Sequence, residues 1–139
     1  MRITTFNSTK SGLLASLTAF ALFALVGCGG NGTGSLTSPF TGTWAGTYSS
    51  TGQSGTANVV IGANGAYVGS GFDNTAQQNY SIQGAITSSG IVTGTLTEGA
   101  TTVNLNGNWT INSGHLGGNV TITKNGQTGA SNAYDMTKQ

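Results

Sequence analysis

The sequence predicts an all-β domain, a single antiparallel up-and-down meander of about eight strands. From Phe40 onward apolar and polar residues alternate, and the alternation breaks at turn-forming residues every ten to fourteen positions. Composition agrees. Only 5 % of the 139 residues are charged, yet Val, Ile, Tyr, Phe and Trp are spread through the polar stretches. A disordered chain combines low hydrophobicity with high net charge, so this one is expected to fold.

Strands are expected at 40–49, 55–62, 66–72, 78–86, 91–98, 101–111, 115–123 and 128–137. The connections contain Asn64-Gly65, "TSSG" at 87–90, "EGAT" at 98–101, "NSG" at 112–114 and "KNGQ" at 124–127. The two Asn-Gly pairs suit type I′ hairpin turns, which need positive φ at both central residues. A side-chain period of two assigns the faces. Phe40, Trp44 and Tyr48 share one side of the first strand, and Val103, Leu105, Trp109 and Ile111 share one side of the sixth. Phe72, Tyr80, Ile82, Ile86, Leu116, Val120, Ile122, Tyr134 and Met136 extend that inner set.

Eight such strands suit a β-sandwich or a closed barrel. Closure removes the exposed edges that long, uncharged, Thr-rich strands offer to other chains, so the barrel is favoured. Gly42, Gly46, Gly84, Gly107 and Gly118 fall within strands on the apolar face, where they permit tight bends or leave space for a ligand. The aromatics Trp44, Tyr48, Phe72, Tyr80, Trp109 and Tyr134 are the candidate ligand-binding residues. They equally suit the filling of a small barrel.

Ahead of this domain, residues 1–27 read as a signal peptide: a basic start with Arg2 and Lys10, then the apolar run "LLASLTAFALFALVG". The run is short and interrupted for a membrane span, which needs about 20 predominantly apolar residues. At its end "LVGC" (Leu25, Val26, Gly27, Cys28) resembles the lipobox of bacterial lipoproteins. The resemblance implies diacylglycerol on the Cys28 thiol, cleavage before Cys28 and anchoring in the bacterial cell envelope. With Gly29 rather than Asp after the cysteine, it implies the outer membrane in a diderm host. Residues 28–39 read as a Gly/Ser/Thr-rich tether holding the 40–139 domain roughly 20 Å from the lipid.

The stretch "FTGTWAGTYSS" carries Gly42-x-Trp44, and the hairpin "ANVVIGANGAYVGSGFDN" follows. Together they resemble the opening of the calycin barrels, the avidins and lipocalins. That resemblance implies an eight-stranded barrel with the Gly-x-Trp near its closed end. It does not carry biotin binding. Only Trp44 and Trp109 are present, and Phe72, Asp73 and Asn74 stand where the avidin pattern has a Tyr and a Ser. Lipocalins place an arginine from the last strand over the tryptophan, and the nearby cation here is Lys138.

Chemistry is sparse. After Cys28 two lysines face three acids, so no basic patch exists for nucleic acid. One cysteine and one histidine provide no metal-ligand spacing, and no cofactor is expected. His115 reads as an exposed turn residue without a triad around it. Asp73 and Glu98 fall in separate connections, with nothing in the sequence to pair them across a cleft. The expectation is a non-catalytic binding or interaction lipoprotein, its partners the membrane through Cys28 and a small apolar ligand or envelope protein. A calycin-type carrier and a hydrolase inhibitor are the alternatives.

Overall fold

The computed structural model describes residues 37–139. The signal peptide, Cys28 and most of the tether lie outside the described residues. Eight strands follow in order: β1 (Gly42–Ser50), β2 (Gln53–Ile61), β3 (Ala66–Asp73), β4 (Gln78–Ile86), β5 (Ile91–Glu98), β6 (Thr101–Asn112), β7 (His115–Lys124) and β8 (Gln127–Lys138). Each pairs antiparallel with the next, and β8 returns to β1 from Trp44↔Lys138 to Ser49↔Ala133, closing a barrel. No edge is left open, which is the physical gain that closure offers to neutral, Thr-rich strands.

Hairpin chemistry sets the registers, although not always by the expected turn. Asn125 and Gly126 both take positive φ, 51° and 77°, as a type I′ turn needs. Ser113 and Gly114 do the same, with φ of 49° and 82°. Asn64-Gly65 does not. There Gly65 N–H donates to Gly62 O (2.9 Å), Gly62 N–H to Ala66 O (2.8 Å), and only Gly65 has positive φ. This is a type I turn closed by a left-handed glycine, and Thr87–Ile91 repeats it with Gly90. Asn64 contributes its side chain instead, accepting the Ala66 N–H at 3.0 Å.

The β2–β3 turn places Ile61 opposite Tyr67, and Tyr67 points inward. Period two then puts Gly69, Gly71 and Asp73 on the inner side of β3 and Phe72 on the outer. This corrects the expected inner set: Phe72 is half-buried on the outer face, whereas Asp73 is buried. Two further members differ. Ile111 is 38 % exposed near the end of the twelve-residue β6, and Ile122 is only partly buried. The other expected inner residues, Phe40, Trp44, Tyr48, Tyr80, Ile82, Ile86, Val103, Leu105, Trp109, Leu116, Val120, Tyr134 and Met136, are buried.

Aromatic rings fill much of the interior. Tyr80, Tyr48, Tyr134, Trp109 and Tyr67 form a continuous chain with successive ring centroids 5.8, 5.7, 5.6 and 5.6 Å apart. These spacings are those of favourable tilted and edge-to-face pairs. Inner-face glycines make the room. A Cβ on Gly71 would come within 2.5 Å of Tyr80 Cζ, one on Gly55 within 2.5 Å of Tyr48 Cε1, and one on Gly84 within 2.7 Å of the Tyr67 hydroxyl. The space these glycines leave is therefore shared by neighbouring tyrosines and the backbone of the adjacent strand. At Gly46 and Gly107 it is occupied by the backbone of the adjacent strand.

Candidate functional site

The two ends of the barrel differ because different segments cover them. At one end the chain enters through Thr37–Thr41, anchored by Ser38 N–H to Ala63 O (2.8 Å) and Thr41 N–H to Ser38 O (3.1 Å). Phe40 is buried there as a plug, and its carbonyl accepts the Trp44 indole N–H at 2.8 Å. The Gly65 and Gly90 carbonyls accept the N–H groups of Ile86 (2.8 Å) and Trp109 (2.9 Å), tying turns across to later strands. This end is closed. Lys138 on β8 sets its Nζ 5.6 Å from the centroid of the Trp44 ring, a cation–π stack across the closing strand pair. Its stem passes over Gly42, where a Cβ would lie 2.6 Å from Lys138 Cε.

At the other end no segment among the described residues plugs the barrel as Phe40 does, and a cavity of ≈ 140 Å³ remains. Leu96, Val103 and Ile122 give it apolar walls, Tyr48 and Tyr80 flank them, and Gln53, Asp73, Glu98, Thr101 and Asn132 supply polar atoms. The strand pattern explains this assembly. Asp73 ends β3, Tyr80 lies near the start of β4, Glu98 ends β5 and Thr101 begins β6, all at the same end of the meander. Two acids expected in separate connections therefore line one cavity, which corrects that expectation.

Asp73 Oδ1 accepts the N–H of Thr75 (2.7 Å) and of Ala76 (2.9 Å), an Asx turn that holds the β3–β4 connection. Burial pushes the Asp73 carboxyl upward, but the Ala76 N–H, the Tyr48 phenol beside it and the Thr75 N–H together hold it below its ordinary value. Tyr48 is pushed up by burial and by the same carboxylate, and Tyr80 by burial above all. Tyr80 Oη donates to Thr56 O at 2.6 Å. Deeper in, burial pushes Tyr67 up to about 12, and its hydroxyl donates to Thr93 O at 3.2 Å. The phenols are protonated donors at neutral pH.

Four buried side-chain atoms have no hydrogen-bond partner among the described residues: Ser50 Oγ, Glu98 Oε1, Asn132 Oδ1 and Trp109 Nε1. The first three belong to the open end. Of the six aromatic candidates, Tyr48 and Tyr80 line the cavity, while Trp44 lies at the closed end and Phe72 on the outer face. Trp109 and Tyr134 belong to the packed core. His115 is exposed on β7, its Nδ1 2.8 Å from Asp135 Oδ1, away from the cavity. Sequence reasoning missed Asp73, Glu98 and Asn132. The signal was parity: Asp73 shares that of Tyr67, Glu98 that of Val92, and Asn132 that of Tyr134. No family model matches the chain, and neither a curated protein nor a solved structure is significantly similar to it.

Proposed function

We propose that the protein is a lipid-anchored lipoprotein of the bacterial cell envelope whose barrel is a non-catalytic binding module, with the open end as its binding face. The carrying observation is the cavity: apolar walls with a few polar atoms left unpartnered, the usual make-up of a small-molecule site. Thr37 enters at the opposite, closed end. The cavity's size favours a small ligand, because pockets for drug-sized molecules run to about 300–1,000 Å³. A lipid or haem carrier is correspondingly disfavoured. The cation from the last strand over the Gly42-x-Trp44 tryptophan supports the calycin resemblance, with Lys138 in place of arginine.

Binding is favoured over acid–base catalysis by the state of Asp73. Its fixed backbone donors suit a permanent anion, not a group that gives and takes a proton. In a thermal-shift screen of small amines, alcohols, acids and sugars on the full chain in detergent, at least one class is expected to raise Tm. Val103→Trp, which places an indole in the cavity, should abolish that rise. No shift with any class would remove the binding reading. Anchoring is tested separately: Cys28→Ala should leave the precursor uncleaved and without lipid, and a lipid-free mature terminus in the unchanged protein would overturn the lipoprotein assignment.

A further inference from the structure

We propose that the open end binds a primary ammonium group on a short apolar stem, the ammonium held by Glu98 and Asn132 and the stem lying against Leu96, Val103 and Ile122. The inference rests on the reading of the open end as a ligand site and names the ligand chemistry. The unpartnered atoms decide it. Glu98 Oε1 and Asn132 Oδ1 are both acceptors, and both line the cavity. Asn132 is only 2 % exposed, so little water reaches it. A buried acceptor without a donor is costly, most of all on a charged group, and the fitting ligand supplies hydrogens. An ammonium offers three donors and no acceptor.

Charge selects the same group. Asp73 and Glu98 are two of the chain's three acids, and both face the cavity. Asp73 is held ionised by the Ala76 and Thr75 N–H groups and by the Tyr48 phenol. An anionic ligand would meet two carboxylates in a partly desolvated site, whereas a cation meets their attraction and the rings of Tyr48 and Tyr80. Three of the other titratable side chains among the described residues lie elsewhere. His115 and Asp135 pair on the outside, and Lys138 covers Trp44 at the closed end. Lys124 is the chain's own cation at the open end, exposed and two residues beyond Ile122 on β7.

Size limits the stem. A cavity of about 150 Å³ takes a molecule the size of benzene, and this one is ≈ 140 Å³. A four-carbon ammonium fits that space, and two sources carry one: a free small amine and the side chain of a lysine. Butylammonium and Nα-acetyl-lysinamide separate them, because the second presents the same stem on a peptide backbone.

Calorimetric titration of the full chain in detergent, at low salt, would compare butylammonium with n-butanol and butyrate. Butylammonium is expected to bind about tenfold more tightly than the isosteric alcohol, the size of a hydrogen bond to a charged group, and butyrate not at all. Glu98→Gln should weaken butylammonium about tenfold while changing butanol by less than about twofold. Lys124→Gln should strengthen it by about twofold. Nα-acetyl-lysinamide binding as tightly as butylammonium makes the lysine side chain a ligand, and its exclusion leaves the free amine. Equal affinity for alcohol and ammonium, or an ammonium affinity unmoved by both substitutions, would overturn the ammonium proposal and leave the open end as a binding site. Failure of all these probes would also overturn it, and the thermal-shift screen then decides whether the site itself stands.

Discussion

Trp109→Ala is expected to destabilise the barrel by about 3–5 kcal/mol, the range for deleting a large buried aromatic side chain. Trp109 is 2 % exposed and stands in the aromatic chain between Tyr67 and Tyr134, its ring centroid 5.6 Å from each of theirs. Closed strands on every side restrict collapse into the void, so the upper part of the range applies. Set against a total stability of about 5–15 kcal/mol for an ordinary domain, this is a large share, and Tm should fall by roughly 15 °C or more. The indole N–H sharpens the test, because Trp109 Nε1 is buried without an acceptor. Trp109→Phe removes that orphan donor along with part of the ring, so the two effects oppose one another. Its cost should be well under half that of the alanine variant. Urea unfolding of the three proteins measures both differences. A loss below about 1 kcal/mol for Trp109→Ala would mean an interior not packed around this residue.

How far the sequence revealed the structure follows from which interactions decide each feature. Strands were legible because alternation persists through most of them, and closure followed from the absence of any charged or proline-protected edge. The inner face of β3 was not, because it holds Tyr67, Gly69, Gly71 and Asp73, two of them without side chains and one charged. Phe72 is the more apolar neighbour, and hydropathy alone chooses it. A single parity slip there hid Asp73 and with it the acidic character of the open end. The glycines stayed ambiguous for a related reason. Whether a glycine leaves a void or admits a neighbour depends on rings carried by other strands, such as Tyr80 over Gly71 and Tyr67 over Gly84. Glu98 and Asn132 were obscured by the same long-range dependence, since strand register brings them to one cavity from β5 and β8.

Gly71→Ala is expected to cost about 2–3 kcal/mol although it adds only one methyl group. A Cβ at Gly71 would lie 2.5 Å from Tyr80 Cζ and would also press on the Thr56 carbonyl of the paired strand. The Tyr80 ring must swing away. Doing so strains the 2.6 Å bond from its hydroxyl to Thr56 O and shifts its edge-to-face contact with Tyr48. A double-mutant cycle separates the two clashes. In a Tyr80→Ala background the ring is gone and the cost of Gly71→Ala should fall, but not to zero, because the Thr56 carbonyl is backbone and cannot step aside. Gly52→Ala supplies the contrast. Nothing lies within 4 Å of a Cβ there, and only its φ of 78° opposes the substitution, for about 1–2 kcal/mol. Because Tyr80 also lines the cavity, Gly71→Ala should weaken ligand binding as well as stability, whereas Gly52→Ala should leave binding intact. Equal stability losses at the two glycines with no coupling to Tyr80 would show that backbone conformation, not the ring packed over Gly71, sets the demand for glycine at that position.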